Sequence, residues 1–229
     1  MKKITFITLL IISSVLAFSQ ESSIINIGVG FPIFFKSDFE EGGMIHQLTG
    51  KRVHLFAEMP VNIGTQRKFS VHPGVGYFLF NEIEQSDPSA LGGYSNKELQ
   101  HNAISIYSRM FYHLESKNIS FQQYYFGGTF GAYLWSKTTG ESSWWLYTSP
   151  KPTSGSAIYN ESGKAFFHSI YMGLTAGAKF KTKENSKIQP AVEFSFYPLF
   201  VTVDDKKRSM AMLTVILGIG QKKATRINE

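Results

Sequence analysis

Apolar and polar residues alternate along most of the chain after residue 20. In residues 103–114, one face is apolar apart from Ser108, and the opposite face carries Arg109 and His113. Residues 166–180 and 188–200 repeat the pattern. Because successive side chains of a β-strand point to opposite faces, this period of two predicts strands with one apolar face.

The alternating runs predict an all-β fold, an eight-stranded up-and-down antiparallel transmembrane β-barrel. A tilted strand that crosses a membrane needs about 9–11 residues, and each run is at least that long. No run after residue 20 has the roughly 18 continuous apolar residues of a membrane helix. The predicted strands lie near residues 24–35, 51–63, 69–83, 100–115, 119–135, 166–182, 187–203 and 209–221.

The connections between these strands alternate in length. The second, fourth and sixth are tight turns at residues 64–68, 116–118 and 183–186, whereas the first, third, fifth and seventh cover 36–50, 84–99, 136–165 and 204–208. In an up-and-down antiparallel meander, the odd and the even connections lie at opposite ends of the barrel. Long outer loops and short periplasmic turns are typical of outer-membrane barrels.

The less apolar face is rich in small residues, which favours a filled interior and a lipid-facing exterior. Small side chains suit the narrow lumen of an eight-stranded barrel. This face carries Gly28, Gly30, Gly74, Gly76, Gly127, Gly131, Gly173 and Gly177. The alternative is a soluble exported lipocalin-like barrel, which binds a small apolar ligand and needs a more charged outer face.

Aromatic residues are predicted to form two belts at the ends of the barrel, as membrane barrels do. One belt lies at the turn end and contains Phe69, Tyr112, Phe121 and Phe180. The other lies at the opposite end and contains Phe80, Tyr133, Trp135, Trp144, Trp145, Tyr147 and Phe200.

Composition supports export and a membrane environment. Charged residues are only 17% of the 229 residues, aromatic residues are 15%, and there is no cysteine. Residues 1–19 combine Lys2 and Lys3, an apolar run and Ala17-Phe18-Ser19, which predicts a cleavable signal peptide. The formal charge of +6 is not concentrated in a basic block, so no nucleic-acid partner is expected.

These features resemble the small eight-stranded outer-membrane β-barrel proteins of Gram-negative bacteria. The resemblance covers residues 20–221 and includes glycine-aromatic stretches at 74–78 and 127–131. It implies an outer-membrane location, contact with outer-membrane lipid and insertion by the barrel-assembly machinery. Members of this family usually end on an aromatic residue, whereas this chain ends in a polar tail, residues 222–229.

Four charged residues are predicted to point into the lumen: Glu58, Arg109, Lys179 and Glu193. A buried charge is costly unless it is paired. We therefore expect a lumen polar network in which Arg109 meets Glu58 or Glu193, with a structural role.

Catalytic chemistry is not expected. His168 and Ser169 are neighbours and face opposite sides of a strand, and Ser70 and His72 share an inner face without an evident acid. The six histidines lack metal-binding spacing and are predicted at interfaces or in loops. The sequence predicts no catalytic, cofactor-binding or metal residues and no cofactor, although a lesser alternative is an outer-membrane lipid hydrolase.

The connection 136–165 carries an apolar cluster among Ser, Thr, Gly and Pro residues. Exposed aromatic groups often mark contact with a partner. Trp144, Trp145 and Tyr147 are therefore candidates to contact an extracellular ligand. The predicted function is a non-enzymatic outer-membrane protein with a structural or adhesive role at the cell envelope.

Overall fold

The structure is a computed structural model, which describes residues 25–34, 39–41, 44–47, 52–64, 68–86, 93–146, 153–162, 170–183, 186–203 and 206–220. The predicted signal peptide, the polar tail, Tyr147 and His168 lie outside these residues, and the side chain of Phe200 is also not described. Within the described ranges, no helix is long and apolar enough to cross a membrane.

The described residues contain twelve strands. In chain order they are β1 (Ile25–Phe34), β2 (Phe39–Glu41), β3 (Met44–Gln47), β4 (Arg52–Glu58), β5 (Val61–Ile63), β6 (Phe69–Ser86), β7 (Gly93–Glu115), β8 (Phe121–Leu146), β9 (Thr153–Ser162), β10 (Ile170–Phe180), β11 (Ile188–Val203) and β12 (Lys206–Ile219).

Eight of the strands close into an antiparallel up-and-down barrel, which confirms the predicted fold. The ring runs β1, β4, β6, β7, β8, β10, β11, β12 and returns to β1. Pro60 interrupts the second predicted strand, so β5 forms a separate short piece that also pairs with β6. A proline cannot donate a backbone hydrogen bond to a strand ladder.

Much of what the sequence predicted as long connections is regular sheet. β8 continues to Leu146, and β9 pairs with it along residues 137–146. β6 and β7 remain paired beyond the barrel as far as Gln85 and Asn96, and β3 pairs with the same part of β6. This part of the sheet stands beyond the barrel rim on one side, and we call it the extension. Alternation does not reveal it because a strand in water on both faces needs no apolar side.

The outward surface of the barrel is a continuous apolar band. Neighbouring strands place apolar side chains side by side, as in the pairs Val29 with Val215 and Met172 with Phe130. These outward side chains are strongly exposed; Leu174, for example, is 69% exposed. A water-soluble monomer rarely exposes an apolar patch larger than a few hundred Å². The surface is that of a transmembrane barrel, and a soluble barrel would place these side chains inside.

Two residues assigned to the aromatic belt lie inside the lumen instead. Phe80 has the same parity as Gly74 and Gly76 along β6, so its side chain points inward and is fully buried. Tyr133 has the same inward parity as Gly127 and Gly131 along β8, so its side chain is also buried. Beyond Tyr133 the register shifts, since Ser105 pairs with Tyr133 and Ile104 pairs with Trp135. This β-bulge places Leu134 and Trp135 both on the exposed side.

Aromatic rings fill the lumen by lying on glycines of neighbouring strands. A Cβ atom at Gly131 would come within 2.3 Å of Tyr171 Cζ, so the ring occupies the space of a missing side chain. The same geometry recurs around the barrel, with Gly28 under Phe56, Gly74 under Tyr107, Gly173 under Tyr197 and Gly177 under Tyr125.

Gly131→Ala should therefore destabilise the barrel, because the methyl group forces the buried Tyr171 ring out of its position. We expect a loss of about 1–3 kcal/mol in the free energy of unfolding, the usual cost of overpacking. Urea titration followed by the heat-sensitive gel mobility of the folded barrel measures this loss. Gly128→Ala is the matched control: its Cβ would have its nearest neighbour at 3.8 Å, and equal losses for both variants would contradict the packing argument.

Candidate functional site

Arg109 lies between two glutamates in the lumen, in the half nearer the tight turns. Its Nε donates to Glu58 Oε2 at 2.8 Å, its Nη2 lies 2.6 Å from the same oxygen, and its Nη1 contacts Glu193 Oε2. The guanidinium also lies over the rings of Phe56 and Phe111, with 5.2 and 5.0 Å to the ring centres. The structure thus brings Arg109 together with both acids that the sequence placed in the lumen.

The second oxygen of each carboxylate is also bonded. Asn26 Nδ2 donates to Glu58 Oε1 at 2.9 Å, and the Tyr125 hydroxyl donates to Glu193 Oε1 at 2.8 Å. The fourth predicted residue, Lys179, lies beside this group, with its Nζ 5.8 Å from the centre of the Tyr125 ring. Two carboxylates, Glu58 and Glu193, and two cations, Arg109 and Lys179, therefore share this half of the lumen, and their charges balance.

A hydrogen-bonded row leads from Glu58 towards the turn end. Glu58 Oε1 lies 2.8 Å from His72 Nδ1, His72 Nε2 lies 2.8 Å from Ser70 Oγ, and Ser70 Oγ lies 2.6 Å from His113 Nε2. A carboxylate only accepts, so His72 Nδ1 donates to it. With a neutral His72, Nε2 then accepts from the Ser70 hydroxyl, which in turn accepts from His113.

Glu58 is the acid partner of Ser70 and His72 that was not evident from the sequence. The order serine Oγ, histidine Nε2, histidine Nδ1 and carboxylate is that of a serine hydrolase triad. However, Ser70 is only 1% exposed, and His113 covers its other side. A substrate carbonyl has no room to approach the hydroxyl, so the arrangement acts here as a polar core.

Four histidines lie in the lumen, not at interfaces or in loops as predicted from the sequence. They are His54, His72, His101 and His113, and all four are buried. Strand parity places them there: His101 and His113 share the inward face of β7 with Arg109. Among the described residues, no group of three or more His, Cys, Asp or Glu side chains could hold a metal ion.

An aromatic layer separates the two halves of the lumen. Phe78 is at its centre, with 5.8 Å to the ring centres of Phe80 and Tyr133 and 6.3 Å to that of Tyr171. Beyond it, at the extension end, His101 Nε2 lies 2.8 Å from Glu82 Oε2, and His101 Nδ1 lies 2.9 Å from Thr138 Oγ1. The lumen thus has a polar half, a ring layer and a second polar site.

The candidate contact residues Trp144 and Trp145 lie on opposite faces of the extension. Trp144 shares the inward face with Thr138 and Ser142, and Trp145 shares the outer face with Glu141 and Ser143. They are 40% and 37% exposed. The third candidate, Tyr147, lies outside the described residues.

The inner face of the extension forms a shallow surface of rings and small residues. The Trp144 indole lies on Gly155 of β9, where a Cβ would come within 2.2 Å of the ring. Further along β9, the Tyr159 ring lies beneath Lys97, whose Nζ is 5.6 Å from the ring centre. Ala157, between Gly155 and Tyr159 on this face, pairs with Ser142. We call Trp144, Gly155, Ala157, Tyr159 and Lys97 the inner platform.

Comparison with known proteins yields structural likeness alone. No family model matches the sequence, and no curated protein matches it. The structure is similar to neisserial surface protein A, with 9% identity, 86% of this chain and 96% of that chain covered, and a TM-score of 0.44. It is also similar to Ail, the attachment invasion locus protein of Yersinia pestis, with 12% identity, coverage of 88% and 97%, and a TM-score of 0.33.

A third similar structure is the outer-membrane protease OmpT of Escherichia coli. It shares 11% identity, with 89% of this chain and 96% of that chain covered, and the TM-score is 0.30.

Arg109→Met should strongly destabilise the barrel, because it leaves Glu58 and Glu193 buried without their cation. Breaking a buried ion pair by removing one partner costs about 3–5 kcal/mol, and urea unfolding in detergent measures the loss. Adding Glu58→Gln and Glu193→Gln to the same chain removes the uncompensated charges and should recover part of it. Unchanged stability of the single variant would contradict the predicted network.

Proposed function

We propose that the protein is a non-enzymatic outer-membrane barrel that binds an extracellular partner through its extension, as an adhesive element of the cell envelope. The membrane-facing apolar band and the filled lumen support an anchor and not a channel. The odd connections, which carry the extension, face the outside in barrels of this kind.

The observation that carries the proposal is the height of the exposed apolar residues above the lipid. Trp135 lies at the extension end of the apolar band, and Trp145 lies ten residues further along β8. Ten strand residues span about 33 Å, or roughly 25 Å above the rim for a strand tilted by about 40°. Trp144, Trp145 and Leu146 thus stand in water, too far from the protein's own membrane to be buried in it.

Exposed tryptophans in water are costly unless a partner covers them, and tryptophan is enriched among residues that dominate binding energy. The inner platform offers such a partner a flat indole face, small residues beside it and one lysine. On the outer face, Trp145 pairs with Ser154, and the apolar Ile158 lies further along, opposite the charged Glu141. The β9 residues beside Trp144 are only partly exposed, whereas Ile158 is 83% exposed. The inner platform is therefore the better formed contact surface.

The two tryptophans allow a matched test. Trp144→Ala should weaken adhesion of cells that display the protein by at least tenfold in half-maximal binding, because it removes the platform's largest ring. Trp145→Ala changes the same residue type one position away and should have less than a threefold effect. Flow cytometry with antibody against a tag controls for surface level.

Deletion of residues 140–160 provides the second arm. The described residues of this segment, 140–146 and 153–160, lie above the rim, so membrane insertion and heat-sensitive mobility should persist while adhesion is lost. Intact adhesion after this deletion would refute the proposed function, and loss of insertion would show that the extension is needed for folding.

A non-enzymatic role also predicts that Ser70 is unreactive. A fluorophosphonate probe, which labels activated serines, should leave the folded protein unmodified because Ser70 is buried beneath His113. Mass spectrometry of the Ser70 peptide measures this, with a serine esterase labelled in the same tube as a control for the probe. Stoichiometric labelling at Ser70 would instead support the hydrolase alternative.

A further inference from the structure

A small cavity lies in the lumen between the Arg109 group and the aromatic layer. His54, Tyr107, Arg109 and Tyr171 are among the residues that line it. The space available to the centre of a water-sized sphere is about 10 Å³. Roughly 10–15 Å³ on this measure is the smallest cavity that holds one water molecule.

His54 is the unusual member of this lining. It is 4% exposed, and neither ring nitrogen has a hydrogen-bond partner among the described residues. The ring stacks on Phe78 at 3.8 Å between centres, with 6° between the planes. Only its edge is therefore left for polar contact.

The Tyr107 hydroxyl is the second such group. It is buried and also lacks a hydrogen-bond partner within the described part of the chain. A buried donor or acceptor without a partner costs about 1–3 kcal/mol. Two such groups beside one cavity indicate that a small polar molecule bonds to both.

The polar edge of His54 lies over a glycine. A methyl group at Gly76 would come within 2.5 Å of His54 Nε2, so the imidazole occupies the place of a side chain there. The cavity itself is lined by His54, Tyr107 and Arg109. An occupant of the cavity therefore finds the two to four polar partners that a buried water molecule requires.

The surroundings favour water over an ion. Arg109 is already matched by Glu58 and Glu193, so an anion would meet two carboxylates behind a neutralised guanidinium. A cation would meet a guanidinium at close range. A neutral molecule that both donates and accepts suits a histidine and a phenol.

We propose that one ordered water molecule occupies this cavity, bonded to His54 and the Tyr107 hydroxyl. It lies next to Arg109, where the row from His113 through Ser70, His72 and Glu58 ends. On the side of the aromatic layer, His54 stacks on Phe78, the ring at the centre of that layer.

A crystal structure of the detergent-solubilised protein at about 1.8 Å tests the proposal directly. The expected result is a density peak 2.6–3.2 Å from a His54 ring nitrogen and from the Tyr107 hydroxyl, the usual range for hydrogen bonds. A crystal soaked in sodium bromide should show no anomalous signal at this position. A dry cavity, or an anomalous peak from bromide, would overturn it.

Tyr107→Phe and His54→Phe each remove one side of the water site and keep a ring of similar shape. Either change should lower the occupancy of the peak by at least half, whereas Tyr133→Phe, in the ring layer, should leave it unchanged. Should a variant fail to insert, cross-relaxation between water protons and the His54 imidazole protons in nanodiscs provides the same readout on the unmodified chain. Absence of that cross-relaxation rejects the water.

Discussion

The interior of an eight-stranded barrel has room for side chains and for little else, and this limit governs the whole lumen. The nine tyrosines and phenylalanines that are buried among the described residues could not enter it if every strand carried a side chain at each inward position. The rings fit because a glycine on one strand leaves room for the large ring that the neighbouring strand places over it. The pairs Gly131 with Tyr171 and Gly74 with Tyr107 show the rule. Ring and glycine therefore form a single unit of packing.

Within that filled space the polar groups are segregated. Arg109, Glu58 and Glu193 form a charge-balanced group with Lys179, and histidines and Ser70 extend it towards the turns. Phe78 and its neighbours separate this group from His101 and Glu82. The charges of Glu58 and Glu193 are tolerated because each of their oxygens has a protein donor. The lumen thus contributes stability and order.

The sequence predicts the barrel well and the extension poorly, and the reason is the environment of each strand. A strand between lipid and lumen must alternate, so parity alone places Glu58, Arg109 and Glu193 in one interior. It cannot say that Glu58 reaches His72, because that contact depends on the stagger between strands. Parity alone would also place Trp135 inside with Gly131 and Tyr133, whereas the bulge at Leu134 turns the Trp135 side chain outward. Strands 137–146 and Thr153–Ser162 have water on both faces, and their hydroxyl-rich composition is typical of loops as well as strands.

Strands β7 and β8 stay paired, through one β-bulge, from the turn at Ser116 to Leu146, the tip of the described extension. A force applied at this tip would therefore act along the strands and not across them. Hydrogen bonds loaded along the strand direction share the force and must break together, whereas bonds loaded across it open one after another. A force on the extension would thus reach the barrel wall as shear between β7 and β8. The membrane-embedded part of the same two strands would resist that force.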